Sequence, residues 1–272
     1  MTINLSRFSG GKTKALTMSY DDGVIQDKRL IEIFNKHGIK GAFHINGGMF
    51  NRTVGRPRIP KDEVKQVYAG HEISLHGHTH QSLSVAPNMR IIEEVMQDKL
   101  ALESITGEPV RGMSYPNGAI SDRVVDLLHQ MGVEYCRKVE TTGNFSLPAD
   151  FLRWEGTTHH NRDLIALGER FLDNSNARSW RASLMYVWGH SYEFDDRNNW
   201  DVIEQFCEMV GGKGDIWYAT NIEIVDYMKA MYSLKFTADQ TVVLNQSMID
   251  VWIEAGDKVV KIPGGSVVNL KE

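Results

Sequence analysis

Apolar and polar positions fall into two alternating patterns along the chain. Short apolar runs have the length of buried strands: Ala15 to Tyr20, Gly41 to Asn46, Glu72 to Leu75, Val110 to Tyr115, Val133 to Lys138, Leu184 to Trp188 and Ile216 to Ala219. Between them lie segments whose apolar residues recur at helical spacing: Asp27 to Lys36, Lys61 to Ala69, Met89 to Ile105, Ser121 to Met131, Trp200 to Val210 and Ile222 to Tyr232. Gly38 and Gly107 stand where the first and third of these should stop, and Pro60 where the second should start. The third carries Ile92, Val95, Met96, Lys99 and Leu102 along one side.

Strand followed by helix, repeated from residue 15 to 232, predicts an α/β fold with a parallel sheet covered by helices. About seven such units favour a distorted (β/α)7-type barrel over an open sheet. After Tyr232 the rhythm changes to KFTA, TVVL, DVWIE and KVVKI, separated by Ala-Gly-Asp and Pro-Gly-Gly turns. That is hairpin grammar. The expected division is therefore a barrel over residues 1–232 and a small β appendage over 233–272.

Charge narrows the partners. Thirty Lys and Arg against 35 Asp and Glu leave a net charge of −5, with no electrostatic reason to expect nucleic acid or an anionic membrane. Two cysteines, Cys136 and Cys207, make neither a disulfide framework nor a structural zinc site, so buried thiols are expected. No apolar stretch has the length of a signal peptide core or a membrane span, and the expectation is a cytoplasmic protein unless a leader precedes Met1. Gly11-Lys12-Thr13 looks like the tail of a P-loop, but the earlier glycine is missing and the stretch precedes a strand instead of following one.

Four strand-end motifs could carry chemistry. Asp21-Asp22-Gly23 puts two carboxylates at the carboxyl end of the first strand, where barrels of this kind place active sites. The plain alternative is an Asp-Asp-Gly turn. HEISLHGHTH holds four of the ten histidines, and His76 and His80 would share a face if they lay on one helical turn. Two imidazoles and a carboxylate form a common catalytic metal set with an open position. Ser114-Tyr115-Pro116-Asn117-Gly118 is a turn able to aim a backbone N–H at a developing oxyanion. His190 ends an apolar strand, placed for general acid work near neutral pH.

SYDDG, then the His-x-x-x-His of HEISLHGHTH, then SYPNG, then WGH, in that order, resemble the polysaccharide deacetylase family, the NodB-homology domain of carbohydrate esterase family four. The resemblance implies a distorted barrel and removal of N-acetyl groups from an amino sugar or glycan. It implies Asp21 as catalytic base, and Asp22, His76 and His80 as ligands of a divalent metal, zinc first, with cobalt or nickel as alternatives. Asn117 would supply the oxyanion N–H, Tyr115 and Pro116 would shape that turn, and His190 would be the acid. Trp188 and His159 are candidate substrate contacts.

The family's third motif usually carries an Arg that orients the catalytic Asp, and here Ser114 stands there. We take Arg153 as the replacement, with Arg111 as the competitor. The fourth motif, typically Asp-Trp, has only Arg153-Trp154-Glu155 in its place. Rival readings are a same-fold amidohydrolase on a small allantoin-like amide and a non-catalytic carbohydrate- or metal-binding relative, the latter suggested by the missing Arg. Self-association into a homo-oligomer stays open.

Overall fold

The structure, a computed structural model, describes residues 2–173 and 182–271. After a short strand β1 (Ile3–Asn4), the chain enters β2 (Lys14–Asp21), in which every residue is buried. Burial on both faces is the signature of a central parallel strand. There follow α1 (Asp27–Lys36), β3 (Gly41–Ile45), a hairpin of β4 (Thr53–Val54) and β5 (Arg56–Pro57), α2 (Val64–Val67) and β6 (Glu72–Leu75). Next come α3 (Asn88–Thr106), β7 (Gly112–Ser114), α4 (Asp122–Gln130), β8 (Tyr135–Thr141), β9 (Trp154–Gly156) and β10 (Thr158–His159). The unit ends with α5 (Leu164–Leu172), β11 (Ser183–Gly189), α6 (Glu193–Arg197), α7 (Trp200–Val210), β12 (Ile216–Tyr218) and α8 (Asn221–Tyr232).

The strands form one nine-stranded sheet in the order β10-β11-β2-β3-β6-β7-β8-β9, with β12 also on β2, and all its pairs are parallel. One edge of β2 is shared, with β12 pairing Lys14 to Leu16 and β3 pairing Met18 to Asp21. The two ends of this path, β9 and β10, are separated in the chain by Thr157 alone, whose N–H donates to the Tyr186 carbonyl at 2.7 Å. The sheet thus curls until its ends share a segment, a distorted barrel that no single ladder closes. Its nine strands exceed the expected seven because β9 and β10, three and two residues long, are too short for a period-two pattern to register.

Two predicted helices differ from expectation. Over Lys61 to Ala69 only Val64–Val67 is α-helical, because Glu63 and Gln66 make i→i−3 bonds to Pro60 and Glu63 that wind the start too tightly. Helix α3 ends at Gly107 in the left-handed conformation, as read. Its buried stripe, however, is Ile91, Glu94, Val95, Asp98 and Leu102, rotated from the predicted side, and Met96 is exposed. Two carboxylates replace apolar residues there because they hold loop N–H groups at the mouth of the sheet. Among the described residues no helix is long and apolar enough to cross a membrane, and both cysteines are buried and free.

The segment after Tyr232 forms β13 (Lys235–Phe236), β14 (Val242–Leu244), β15 (Val251–Ala255), β16 (Lys258–Ile262) and β17 (Val267–Asn269). They build two antiparallel sheets, β13-β14-β17 and β1-β15-β16, so the amino-terminal Ile3–Asn4 is a strand of this region. Val251, Ile253 and Ile262 pack with Phe8, Tyr227 and Met228 in a second core behind α8.

Candidate active site

Strand register brings the candidate residues together. Asp21 is level with His44, Ile45 with Leu75, Leu75 with Met113, and Ser114 with Arg137. Asp21, His76, Ser114, Arg137 and His190 therefore meet at the carboxyl ends of their strands. Asp22 has φ 82° and Gly23 φ 64°, so the chain turns sharply after β2 and the adjacent carboxylates diverge. Gly23 is required there, since a Cβ would stand 2.8 Å from Ile45 Cγ2. Asp21 points into the barrel and is 3% exposed.

Asp21 Oδ2 forms a buried ion pair with Arg137, while Oδ1 accepts from Ser114 Oγ at 3.1 Å and lies 3.4 Å from His44 Nδ1. Burial alone would raise the Asp21 carboxyl, but Arg137, His76 and His44 together hold it well below the usual carboxylate range. The cation beside Asp21 is thus Arg137, and neither Arg153 nor Arg111. Trp154, the first residue of β9, is buried, whereas Arg153 ends the helical turn before it and is 40% exposed, paired with Asp150 and Asp122. Arg111 is bound bidentately by Asp226. Arg137 is missed by motif reading because it stands one strand over from its expected place, directly beside Ser114. A buried strand ending in Cys-Arg-Lys was the available signal.

His76 and His80 converge through a turn, not a helix: Gly77 and His80 take left-handed φ values of 75° and 61°. His76 Nδ1 lies 2.7 Å from Ser114 Oγ and 3.1 Å from the Ser114 carbonyl, and the His76 backbone N–H donates to Asp98 Oδ2 at 2.9 Å. Because Ser114 Oγ already donates to Asp21, both groups at Nδ1 act as acceptors, which leaves the His76 Nε2 lone pair facing the site. That nitrogen stands 3.1 Å from His80 Nε2 and 3.8 Å from Asp22 Oδ1, and His80 Nε2 is 3.7 Å from the same oxygen. Glu94 and Asp98 of α3 hold the loop, taking Thr79 N–H at 2.8 Å and Gly47 N–H at 2.6 Å. Burial pushes Asp98 up to about 8. His71, at the opposite end of β6, bonds Gly41 and Asn35 and takes no part.

His190 lies 3.5 Å from Glu193 through Nδ1. Burial pulls this imidazole down, yet Glu193, Asp21 and Asp22 together raise it above its ordinary value. Glu193 also lies 3.2 Å from His159 Nε2 and 2.9 Å from His160 Nε2. His159 is therefore tied to Glu193, and its Nδ1 accepts the Asn161 N–H at 3.2 Å. That bond places the ring proton on Nε2. His159, His160 and Glu193 therefore form a close imidazole–carboxylate cluster, and their donor atoms are also close enough together for a metal.

The third-motif turn is rigid. Tyr115 is buried and donates to the Leu152 carbonyl at 2.7 Å, and Pro116 is buried beside Gly77. Asn117, at φ 57°, is exposed and donates through Nδ2 to Ser82 Oγ at 3.0 Å, tying this turn to the loop after His80. Trp188 is 7% exposed, with the Arg137 guanidinium 4.2 Å from its ring centre and His159 edge-on at 4.5 Å, so it clamps the arginine instead of offering an open platform.

Comparison with known proteins agrees with this geometry. Residues 9–136 match the family model described as polysaccharide deacetylase. Residues 9–136, just under half of the chain, are thus similar to a polysaccharide deacetylase domain. Over 117 residues it is 30% identical to chitin deacetylase 1 of Cryptococcus neoformans, a match covering 43% of this chain and only 24% of that protein. A polysaccharide deacetylase structure from Mycobacterium smegmatis superposes with a TM-score of 0.61 at 17% identity, covering 85% of this chain and 95% of that one. A family 4 acetyl xylan esterase from Clostridium thermocellum, solved with a cobalt ion, gives 0.51 at 14% identity over 79% and 91%. At these identities the superpositions speak for the fold.

A divalent ion suits the group Asp22, His76 and His80, whose donor atoms all lie within 4.8 Å of one another. Asp22 Oδ1 is buried with no hydrogen-bond partner. The 3.1 Å between the two Nε2 atoms is close to the spacing of about 3.3 Å that two imidazoles take on one tetrahedral ion with Zn–N of about 2.0–2.1 Å.

Proposed function

We propose that this chain removes N-acetyl groups from an amino sugar or glycan, with a divalent ion, zinc first, held by Asp22, His76 and His80. The observation that carries the reading is the meeting, at one end of the sheet, of a carboxylate held ionised by Arg137, a carboxylate–imidazole triad and a protonatable histidine. When bound, the ion supplies a Lewis acid that lowers the pKa of water and polarises the amide carbonyl. Asp21, ionised across the neutral range, takes the proton of the attacking water. The Asn117 backbone N–H meets the developing oxyanion. His190, its charge favoured by Glu193, delivers a proton to the departing amine, giving acetate and the free amino sugar. The Arg137 guanidinium beside Asp21, where the third-motif arginine is absent, supports the catalytic reading over a non-catalytic one.

The test is acetate release from N-acetylglucosamine oligomers by the zinc-loaded chain. We expect turnover that a chelator abolishes and zinc restores, and near-stoichiometric zinc that both Asp22→Ala and His76→Ala lose. Stoichiometric zinc without acetate from any oligomer, but with turnover of a small cyclic amide, would move the assignment to an amidohydrolase.

A further inference from the structure

Beside the metal ligand Asp22 lies a cavity of about 270 Å³ that also presents Val24, Gly55, Arg56, Arg58 and Tyr192. Arg58 is pinned by an antiparallel bridge to Val24 and donates through Nη1 to the Asp22 carbonyl at 2.5 Å. Its Nη1 stands 3.4 Å from Asp22 Oδ1, its side chain is 9% exposed, and its buried Nε has no hydrogen-bond partner. Arg56 stacks its guanidinium 4.2 Å from the Tyr192 ring centre and pairs with the half-exposed Asp196 at 2.5 Å. Tyr192 in turn lies against His190, ring centres 5.1 Å apart. The cavity therefore runs from the metal ligand past the proton donor to a second arginine.

Its charge is one-sided. Asp22 is the sole carboxylate among the lining residues, and an ion bound by Asp22, His76 and His80 would take up that charge. Two guanidiniums then face the space; the carboxylates that oppose them, Asp196 and Asp195 at Arg56 and Asp27 at Arg58, all lie outside its lining. Holding the Asp22 turn needs Arg58 Nη1 alone, so it explains neither the unpartnered Nε nor Arg56. Guanidiniums present planar forks of N–H donors suited to oxyanions.

Building on the proposed deacetylation, we infer that this cavity is a subsite for an acidic substituent, a carboxylate or phosphate, on the sugar next to the reacting N-acetyl group. The preferred substrate is an acidic glycan.

The test compares three disaccharides of equal length with the zinc-loaded full chain: neutral di-N-acetylchitobiose, N-acetylglucosaminyl-N-acetylmuramic acid with its carboxylate, and 6-phosphorylated di-N-acetylchitobiose. At least one acidic disaccharide should exceed the neutral one in kcat/KM by about tenfold, mainly through KM, with the advantage shrinking as salt rises. Arg56→Gln should bring that ratio to about one, and Arg56→Lys should retain part of it. Which acid is favoured identifies the substituent. A ratio near one in the parent, or a ratio that survives Arg56→Gln, overturns the inference. If none of the three releases acetate, the deacetylation reading fails separately, and calorimetric binding of the same disaccharides decides the subsite. A preference for acid that Arg56→Gln abolishes supports it, and equal binding overturns it.

Discussion

Asp21 and Arg137 form the buried pair on which the proposed chemistry turns. The charges are buried, so removing one partner strands the other at a cost of about 3–5 kcal/mol. Arg137→Ala should lower both stability and kcat/KM, the latter by about 100-fold in the folded fraction, with Arg137→Lys recovering part of it. Arg153→Ala breaks only exposed pairs and should leave kcat/KM within about twofold and stability within about 1 kcal/mol. Acetate-release kinetics with denaturant curves on the three variants decide between the two arginines. Glu193 makes a different prediction. His190 is raised in its presence, so Glu193→Gln should lower the His190 pKa and move the alkaline limb of the kcat/KM profile to lower pH. An unmoved limb would remove Glu193 from that role.

At the scale of elements, the packing of α1 against the β11–α6 turn carries a buried acid. Asp27, in the first turn of α1, accepts from Ser191 Oγ at 2.5 Å and Tyr68 Oη at 2.7 Å. Burial pushes it up to about 7, with those hydrogen bonds opposing only in part. Its unfolded value is about 3.9, so the folded state keeps a proton that the unfolded state releases between roughly pH 4 and 7. Stability from this group is therefore full at the acid end of that window and falls as pH rises through it. Relative to the parent, Asp27→Asn should gain up to about 1.4 kcal/mol per pH unit between about pH 5 and 7, and nothing further above. Urea unfolding at a series of pH values reads that difference. A constant difference would place the Asp27 proton elsewhere. Legibility failed at this scale for α3, where periodicity located the helix but mistook its inner face. Glu94 and Asp98 look like surface residues in a sequence, and only the loop N–H groups they serve draw them inward.

For the molecule as a whole, the barrel and the carboxy-terminal sheets share the second core. Burying Val251, Ile253 and Ile262 contributes on the order of 5–9 kcal/mol, comparable to the whole stability of a domain. Removing residues 233–272 also strips β1 of its partner β15. We expect the truncated chain to lose cooperative unfolding and to expose tryptophan, measured by calorimetry and fluorescence. A truncated chain that melts like the parent would show the barrel to be self-sufficient.

The strand–helix rhythm, the order of the four motifs, and the strand-end positions of Asp21, Asp22, His76 and His190 were all legible in the sequence. Each depends on local patterning or on residue type at a strand end, and both are properties of neighbouring positions along the chain. The partner of Asp21 was decided by tertiary structure, because Ser114 and Arg137 are neighbours only through strand register. So were the gathering of His159, His160 and His190 around Glu193 and the placing of Arg56 and Arg58 beside Asp22. In each case residues far apart in the chain are joined by parallel crossovers and turns. Periodicity records which face a residue presents, and it carries no information about what stands opposite.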